Sequence, residues 1–347
     1  MTDIHIRHDG HAGRITLKRP KALNALTYDM CSAIESALWA WRADPTVKLI
    51  LIDAEGDKAF CAGGDIAEMY ATGIKGDYAY GQRFWRDEYR MNALIAEYPK
   101  PVVSFMQGFT MGGGVGVGCH GSHRVVGDTS RVSMPECGIG LIPDVGGSHL
   151  LAHAPGRLGE YLALTTERMG PGDAIQAGFA DLYLPEDRWD GMKATLCASG
   201  NVGALSKAAK PAPNAPLGDA QAQIDAHFGA GSLSKIAASL RDSDTDFAAR
   251  TYAKLSRNAP LSMACTLAIL DRLRSDKLDI RGALDLEYRF TSRAMEAGDF
   301  LEGIRAAIID KDKSPKWRHD LNTVPATDIE AMLRPVSEEP LTFEQQE

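Results

Sequence analysis

A glycine-rich stretch at residues 107–147, QGFTMGGGVGVGCHGSHRVVGDTSRVSMPECGIGLIPDVGG, constrains this chain more than any other feature. It begins directly after an apolar run that is typical of a buried strand, and it contains three consecutive glycines. Because glycine has no Cβ, consecutive glycines in a turn can bring backbone N–H groups close to a ligand. A second glycine turn, FCAGGD at residues 60–65, also follows an apolar run. We expect the two turns to meet at one site.

Strands and a helix are predicted before these turns. Residues 48–53 and 101–106 are apolar runs, as expected of strands buried on both faces. Residues 4–6 and 14–17 predict two shorter strands. Four large side chains repeat at helical spacing: Met30, Ile34, Leu38 and Trp41. Strand, helix and strand in this order favour a right-handed βαβ unit, with ligands at the C-terminal ends of the strands.

The second half of the chain is predicted to be mainly helical. After expected strands at 124–127, 131–134 and 179–184, residues 199–232 are rich in Ala, Gly and Pro, which is typical of a boundary. We therefore expect three regions. They are a core at 1–198, a connecting segment at 199–232 and a helical C-terminal region at 233–347.

Charge and composition exclude several classes of protein. Lys and Arg number 38 against 46 Asp and Glu, a net charge of −8, whereas a nucleic-acid-binding protein needs a basic face. No apolar run is long enough to span a membrane, and the N-terminus has the composition of neither a signal peptide nor a transit peptide. Six scattered cysteines are typical of reduced thiols. We expect a cytoplasmic protein with no membrane or nucleic-acid partner.

The two glycine turns predict a place for a reacting carbonyl group. If Gly64 and Gly113 each direct an N–H group to one point, they form an oxyanion hole for an oxygen that becomes negative during reaction. The alternative is that the glycines only permit close helix packing. Two such turns, each after a buried strand, favour the functional interpretation.

A dinucleotide-binding fold is the competing interpretation of the glycines. Residues 116–121 match GxGxxG, and Glu136 lies 20 residues after Gly116. That fold requires a helix directly after the glycines, whereas a strand is predicted to begin almost at once, near residue 122. The dinucleotide interpretation is therefore disfavoured.

Serine and metal chemistry have weaker support. No GxSxG sequence surrounds a serine, so a serine hydrolase is disfavoured. Cys119, His120 and His123 have neither an evident fourth ligand nor a standard zinc spacing. We expect no metal site.

Two carboxylates follow prolines in the glycine-rich stretch. Glu136 lies in an apolar loop that begins at Pro135, where partial desolvation would raise its pKa and suit it to acid–base or nucleophilic work. The alternative is an ordinary surface glutamate. Asp144, eight residues later, is a second catalytic candidate, and its alternative role is a helix N-cap.

These motifs in this order resemble the enoyl-CoA hydratase/isomerase (crotonase) superfamily, and within it most closely the 3-hydroxyisobutyryl-CoA hydrolases. The matching segments are RPKALNAL, FCAGGDI, QGFTMGGGVGVG, MPECGIGLIPDVGG and EYRFTSRAMEAGDFLEGIRAAIIDKDKSPKW. The resemblance implies an α/β fold, namely a crotonase-like spiral of ββα units with a helical C-terminal region. It also implies that the substrate is an acyl-coenzyme A thioester, so that coenzyme A is part of the substrate and no separate cofactor is expected.

The resemblance also implies a set of site residues. By motif match, Gly64 and Gly113 would donate the two oxyanion N–H groups to the thioester carbonyl. The family's adenine and pantetheine contacts fall on Lys21, Ala22, Leu23, Ala62, Gly63, Asp65 and Ile66.

One departure from the hydratase pattern has a chemical consequence. Hydratases of the family carry one catalytic glutamate shortly after the triple glycine and another in the PE loop, but here the first position is Gly116 and only Glu136 remains. The hydrolase subgroup keeps the PE glutamate and adds an aspartate, matched here by Asp144. In that subgroup the residue that matches Glu88 lies at the substrate, where we expect it to grip or orient a 3-hydroxyl group.

The sequence leaves three functions open. The first is hydrolysis of a small 3-hydroxyacyl-CoA, most simply 3-hydroxyisobutyryl-CoA in valine degradation. The second is hydration or isomerisation of an enoyl-CoA, because one carboxylate and a water can suffice. The third is acyl-CoA binding without catalysis. The superfamily often forms trimers or paired trimers, so a homo-oligomer is also expected, unless the long C-terminal region covers the usual interface.

Overall fold

The computed structural model describes residues 3–344, which group by their contacts into two interleaved units. The first unit takes residues 3–65, 87–133 and 168–218. The second unit takes residues 66–86, 134–167 and 219–344. Each unit is thus assembled from three separate pieces of the chain. The division into a core, a connecting segment and a C-terminal region stays a prediction.

All nine strands of the described residues lie in the first unit. Their bounds are β1 Ile4–Asp9, β2 Ala12–Leu17, β3 Leu49–Ala54, β4 Ala59–Cys61, β5 Val102–Met106, β6 Phe109–Met111, β7 His123–Val126, β8 Arg131–Ser133 and β9 Leu182–Tyr183. Six of them form one sheet in the order β1-β2-β3-β5-β7-β9, and the other three form a second sheet in the order β4-β6-β8. Only β1 and β2 pair antiparallel; every other pair of neighbours in these residues is parallel.

The strands repeat as a spiral. Each of the pairs β3–β4, β5–β6 and β7–β8 places its first strand in the large sheet and its second strand in the small one. Helices follow the first two of these pairs before the chain returns to the large sheet. The predicted α/β fold, a crotonase-like spiral of ββα units, is therefore confirmed.

Helices connect many of the strands and make up much of the second unit. In chain order they are α1 Tyr28–Arg42, α2 Ala67–Gly73, α3 Ala79–Ala96, α4 Gly113–Gly118, α5 Gly147–His153, α6 Leu158–Thr165, α7 Pro171–Gln176, α8 Trp189–Ser199, α9 Gly203–Ala208, α10 Pro216–Asp219, α11 Gln221–Phe228, α12 Leu233–Arg241, α13 Asp246–Leu255, α14 Pro260–Ser275, α15 Ile280–Ala294, α16 Phe300–Ile304 and α17 Ala326–Leu333. A π-helical turn, Arg305–Ile309, extends α16. The expected βαβ unit is present as β2, α1 and β3, because β2 and β3 pair in parallel.

The core of the first unit covers one face of the large sheet. Strands β3 and β5 are buried along nearly their whole length, as their apolar runs predict. Helices α8 and α9 pack their apolar side chains on this face. The buried cluster comprises Ala12, Leu49, Leu51, Val103, Phe105, Val125, Leu184, Trp189, Leu196, Cys197 and Leu205.

Asp53 is the charged exception in β3. It is almost fully buried, and its carboxylate accepts hydrogen bonds from Arg14 at 2.7 Å and from Thr16 at 2.6 Å. Lys193 Nζ lies 3.1 Å away. Burial alone would raise the pKa of Asp53, but the two cations and the hydroxyl together lower it. The buried charge is therefore fully compensated, and the strand stays in the core.

Two local expectations were wrong. The predicted strand at 179–184 is reduced to β9, because the N–H groups of Phe179 and Ala180 donate to the carbonyl of Ala174 at the end of α7. The predicted loop at Pro135 is instead a 3-10 turn, Glu136–Ile139, closed by a hydrogen bond from Gly138 N to the Pro135 carbonyl. No helix within residues 3–344 is long and apolar enough to cross a membrane.

A side chain at Gly114 should be costly for the fold. A Cβ built there would overlap the carbonyl oxygen of Cys61, which is backbone and cannot move aside. We expect Gly114→Ala to lower the free energy of unfolding by about 1–3 kcal/mol, despite alanine's better helix propensity. The measurement is the midpoint of urea unfolding. The control is Gly191→Ala in α8, where no atom lies within 4 Å and about 0.5–1 kcal/mol should be gained. A Gly114→Ala protein as stable as Gly191→Ala would contradict this account.

Candidate active site

Two glycine turns lie at the C-terminal ends of neighbouring strands in the small sheet. One follows β4, where Leu26 N donates to the Gly63 carbonyl at 2.9 Å and Asp65 N donates to the Leu26 carbonyl at 2.7 Å. The other follows β6 and leads into α4 through Gly112, whose φ of 48° lies in the region that favours glycine. Because β4 and β6 are parallel neighbours, the two turns emerge at the same edge.

The two turns meet, as the sequence predicts. A Cβ built on Gly113 would lie 3.3 Å from the backbone nitrogen of Gly64 and 3.2 Å from Leu26 Cδ1. In the part of the chain that the structure describes, no hydrogen bond from the N–H of Gly64 or Gly113 to another protein group is found. Two adjacent backbone donors are therefore available to a ligand in the first unit.

Glu88 lies beside this pair of donors. It is on α3 and only 3% exposed, and its Oε1 would be 2.9 Å from a Cβ on Gly113. Its charge also acts on Cys61: burial raises the pKa of that thiol to about 12, and Glu88 shifts it in the same direction. A buried carboxylate therefore lies beside the backbone donors of Gly64 and Gly113.

All of the proposed coenzyme A contacts except Ile66 lie within the first unit. Lys21 and Ala22 are exposed in a 3-10 turn, and Leu23 follows in the left-handed region at φ 52°. The Leu23 carbonyl accepts a hydrogen bond from Ala62 N at 3.0 Å, which joins this loop to the first glycine turn. Gly63, with φ 116°, lies in the same turn.

Arg19 fixes these two loops, although it was not among the site residues predicted from the sequence. Its guanidinium donates to Asp65 at 3.1 Å and to the carbonyl of Ala25 at 2.6 Å. Asp65 is thus held by an ion pair. The sequence feature that could have indicated this role is the position of Arg19 at the start of RPKALNAL. There it is a basic residue in a loop that precedes the proposed ligand-binding turn.

The remaining site candidates belong to the second unit. Ile66 is the residue before α2. Glu136 is 5% exposed in its 3-10 turn, and its carbonyl accepts a hydrogen bond from Leu141 N at 3.1 Å. The alternative interpretation of Glu136 as a surface glutamate is therefore wrong. The Glu136 side chain is therefore largely shielded from solvent.

Asp144 occupies a tight turn before α5. The next two residues, Val145 and Gly146, have φ values of 54° and 79°, and the Asp144 carbonyl accepts a hydrogen bond from Gly147 N at 2.7 Å. Asp144 is 4% exposed. The N-cap of α5 is Gly146, with no side-chain capping bond, so the alternative role of Asp144 as an N-cap is wrong.

Glu287 of α15 holds this turn. One carboxylate oxygen accepts from Gly146 N at 2.8 Å, and the other accepts from Ser148 N at 3.1 Å and from the Ser148 hydroxyl. Complete burial raises the pKa of Glu287 to about 8, and the charge of Asp144 adds to the shift, against the effect of these hydrogen bonds. Glu287 was not among the site residues predicted from the sequence.

Metal and thiol chemistry have no support in the described residues. Residues 3–344 contain no group of three or more His, Cys, Asp or Glu side chains that could hold a metal ion. The six cysteines are all free and buried. Burial raises the pKa of Cys137, beside Glu136, to about 12.

Known proteins resemble this chain over most of its length. A profile of the enoyl-CoA hydratase/isomerase family matches residues 12–333. This chain belongs to the enoyl-CoA hydratase/isomerase family. Within the family it is similar to a Xenopus tropicalis protein named 3-hydroxyisobutyryl-CoA hydrolase, mitochondrial. The two are 39% identical over 324 residues, which cover 90% of this chain and 83% of the relative.

Two solved structures of the family have nearly the same fold. An enoyl-CoA hydratase from Rhodobacter sphaeroides is 56% identical with a TM-score of 0.94, over 99% of this chain and 100% of that one. A carnitinyl-CoA dehydratase from Mycobacterium thermoresistibile is 41% identical with the same TM-score of 0.94, over 100% of both chains. The names of these relatives therefore divide between thioester hydrolysis and reactions of the carbon chain.

The buried thiols predict low reactivity. With a pKa of about 12, Cys61 and Cys137 are thiolate at pH 8 in only about one molecule in ten thousand. We expect the folded protein to react slowly with a disulfide reagent such as dithionitrobenzoate, and all six thiols to react at once in concentrated urea. The absorbance of the released thiolate measures both rates. Rapid labelling of either cysteine in the folded protein, located by peptide mass spectrometry, would contradict the assignment.

Proposed function

We propose that this protein hydrolyses a small 3-hydroxyacyl-CoA thioester to the free hydroxy acid and coenzyme A. The observation that carries the proposal is the absence of a side chain at Gly116, in a chain that keeps Glu136 and has Asp144. Addition of water to a double bond is usually shared by two carboxylates. Thioester hydrolysis needs an oxyanion hole, one base or nucleophile, and a water.

The backbone donors supply electrostatic stabilisation in this mechanism. The thioester oxygen accepts hydrogen bonds from the N–H groups of Gly64 and Gly113 as the carbonyl carbon becomes tetrahedral. Donors that are already fixed need no reorganisation during reaction, and losing one such donor typically costs about a hundredfold or more in rate. Their proximity in the first unit supports this role.

Glu136 is the proposed nucleophile or general base. In one route its carboxylate attacks the carbonyl carbon, releases the coenzyme A thiolate and leaves an anhydride that water then cleaves. In the other route it removes a proton from the attacking water. Either way, the C–S bond breaks, hydroxyl is added to the acyl carbon and a proton ends on the sulfur. Asp144 orients the water or the substrate hydroxyl.

Glu88 is the proposed contact for the 3-hydroxyl group. A substrate hydroxyl can donate a hydrogen bond to its carboxylate, which lies beside the two oxyanion donors. The positions around the first glycine turn would bind the nucleotide and pantetheine. They are Lys21, Ala22, Leu23, Ala62, Gly63, Asp65 and Ile66.

Enoyl-CoA hydration is the second candidate. The observation in its favour is the 56% identity with a protein named enoyl-CoA hydratase.

A reaction with 3-hydroxyisobutyryl-CoA would place the protein in valine degradation. That substrate, a cytoplasmic location and assembly into a homo-oligomer are further parts of the proposal.

The decisive assay separates thiol release from loss of the enoyl group. Wild type and Glu136→Gln are compared on 3-hydroxyisobutyryl-CoA, 3-hydroxypropionyl-CoA and crotonyl-CoA, with free thiol and enoyl absorbance followed separately. We expect thiol release from the hydroxyacyl substrates, lowered about a hundredfold or more by Glu136→Gln because the base or nucleophile is lost.

Glu160→Gln is the matched control for this assay. Glu160 is also a buried glutamate of the second unit, at 3% exposure, but its carboxylate pairs with Arg157 and Arg274. Its replacement should lower stability and leave kcat within about twofold of wild type. Loss of enoyl absorbance without thiol release would instead establish a hydratase.

A methyl group at Gly113 should obstruct catalysis. It would lie 2.9 Å from Glu88 Oε1 and 3.3 Å from Gly64 N, between the hydroxyl contact and the oxyanion donors. We expect Gly113→Ala to lower kcat/KM for the hydroxyacyl thioester about a hundredfold. Gly170→Ala is the control, because no atom lies within 4 Å of its Cβ position. Unchanged turnover by a folded Gly113→Ala protein would remove the oxyanion assignment.

A further inference from the structure

We infer that Glu287 is a positioning residue for the hydrolysis, which fixes Asp144 by holding the backbone of the turn that carries it. The inference rests on the proposed function, because it gives Asp144 a role in catalysis. Glu287 itself would touch no substrate. Its contacts to Gly146 and Ser148 begin two residues after Asp144.

The hydrogen bonds match a carboxylate and no other side chain of this shape. The turn presents two backbone N–H groups and one hydroxyl, all directed at Glu287 as donors. A carboxyl group has two oxygens, and each accepts from one backbone N–H group, so that Glu287 bridges the turn. A glutamine would place an NH₂ group against one side of the turn, where donor would face donor.

The turn needs such support because its backbone is strained. Val145 has φ 54°, a left-handed conformation that is unfavourable for a β-branched residue. Such a conformation persists where the surroundings determine it. Gly146 continues in the left-handed region at φ 79°, and α5 begins only at Gly147. Without the Glu287 contacts, Val145 would relax toward an extended conformation and Asp144 would move with it.

The support comes from a well-anchored helix. Asp279 caps the start of α15 by accepting from Gly282 N at 3.0 Å, and α15 packs on α5, α14 and α17. On α15, Glu287 lies between Leu284 and Tyr288 on the buried face. The turn is thus attached to a fixed element of the same unit. The charge of Asp144 acts on Glu287, which places the two carboxyl groups within each other's field.

The first test compares kcat and KM for 3-hydroxyisobutyryl-CoA. We expect Glu287→Gln to lower kcat at least about tenfold while KM changes less than about threefold, because a displaced Asp144 affects the reaction more than binding. Glu160→Gln is the control for general destabilisation. It should lower the urea midpoint and leave kcat within about twofold of wild type.

The second test is a double-mutant cycle with Asp144→Asn. If Glu287 acts through Asp144, Glu287→Gln should change the residual kcat of Asp144→Asn by less than about twofold. A purely structural glutamate would lower kcat by the same factor in both backgrounds. Should Glu287→Gln fail to fold, Ser148→Ala removes one donor only, and we expect it to lower kcat about threefold with KM unchanged.

Two results overturn the inference while leaving the proposed function intact. They are a Glu287→Gln kcat within twofold of wild type, and equal factors in the two backgrounds of the cycle. A wild-type kcat for Asp144→Asn has a different meaning. It would remove the catalytic role of Asp144 from the proposed function, and the inference would fall with it.

Discussion

The close approach of two backbone segments, at Gly114 and the carbonyl of Cys61, is the constraint on which the first unit depends. A Cβ at that point would overlap the Cys61 carbonyl, so the small sheet and α4 pack this closely because the sequence places glycine there. In the same region, the Cβ position of Gly113 lies 3.3 Å from the backbone nitrogen of Gly64. Close packing and the proposed oxyanion hole therefore occupy the same part of the first unit.

The local features of this protein could be predicted from its sequence, but contacts between residues far apart in the chain could not. Apolar runs and glycine turns are short-range patterns, so β3, β5 and the meeting of the two turns followed from them. The 3-10 turn at Glu136 could not be predicted in this way, because no regular spacing of apolar residues marks it in the sequence. The contact of Glu287 with Gly146 could not be predicted, because the two residues are 141 positions apart in the chain. A charged residue beside Leu284 and Tyr288 on the apolar face of a helix does, however, indicate a buried carboxyl group that needs hydrogen-bond donors.

The buried carboxyl groups of the two units differ in what surrounds them, and the proposed chemistry gives each a different role. Glu88 lies beside backbone donors, Asp144 lies on a strained turn and Glu287 is enclosed by hydrogen-bond donors. A superfamily fold does not specify a reaction by itself. With glycine at position 116, the distinction between hydrolysis and hydration depends on which carboxyl groups remain and how each is held.

The contact between Glu287 and the Asp144 turn has a consequence for the order of events during synthesis. Chains emerge from the ribosome N-terminal end first, and every candidate catalytic position lies before residue 145. The turn nevertheless lacks its buried acceptor until α15 has been translated, 141 residues after Gly146. A nascent chain would thus contain all its chemical groups long before the Asp144 turn could hold its final shape. The Asp144 turn would therefore reach its final shape only after α15 had been synthesised and packed against it.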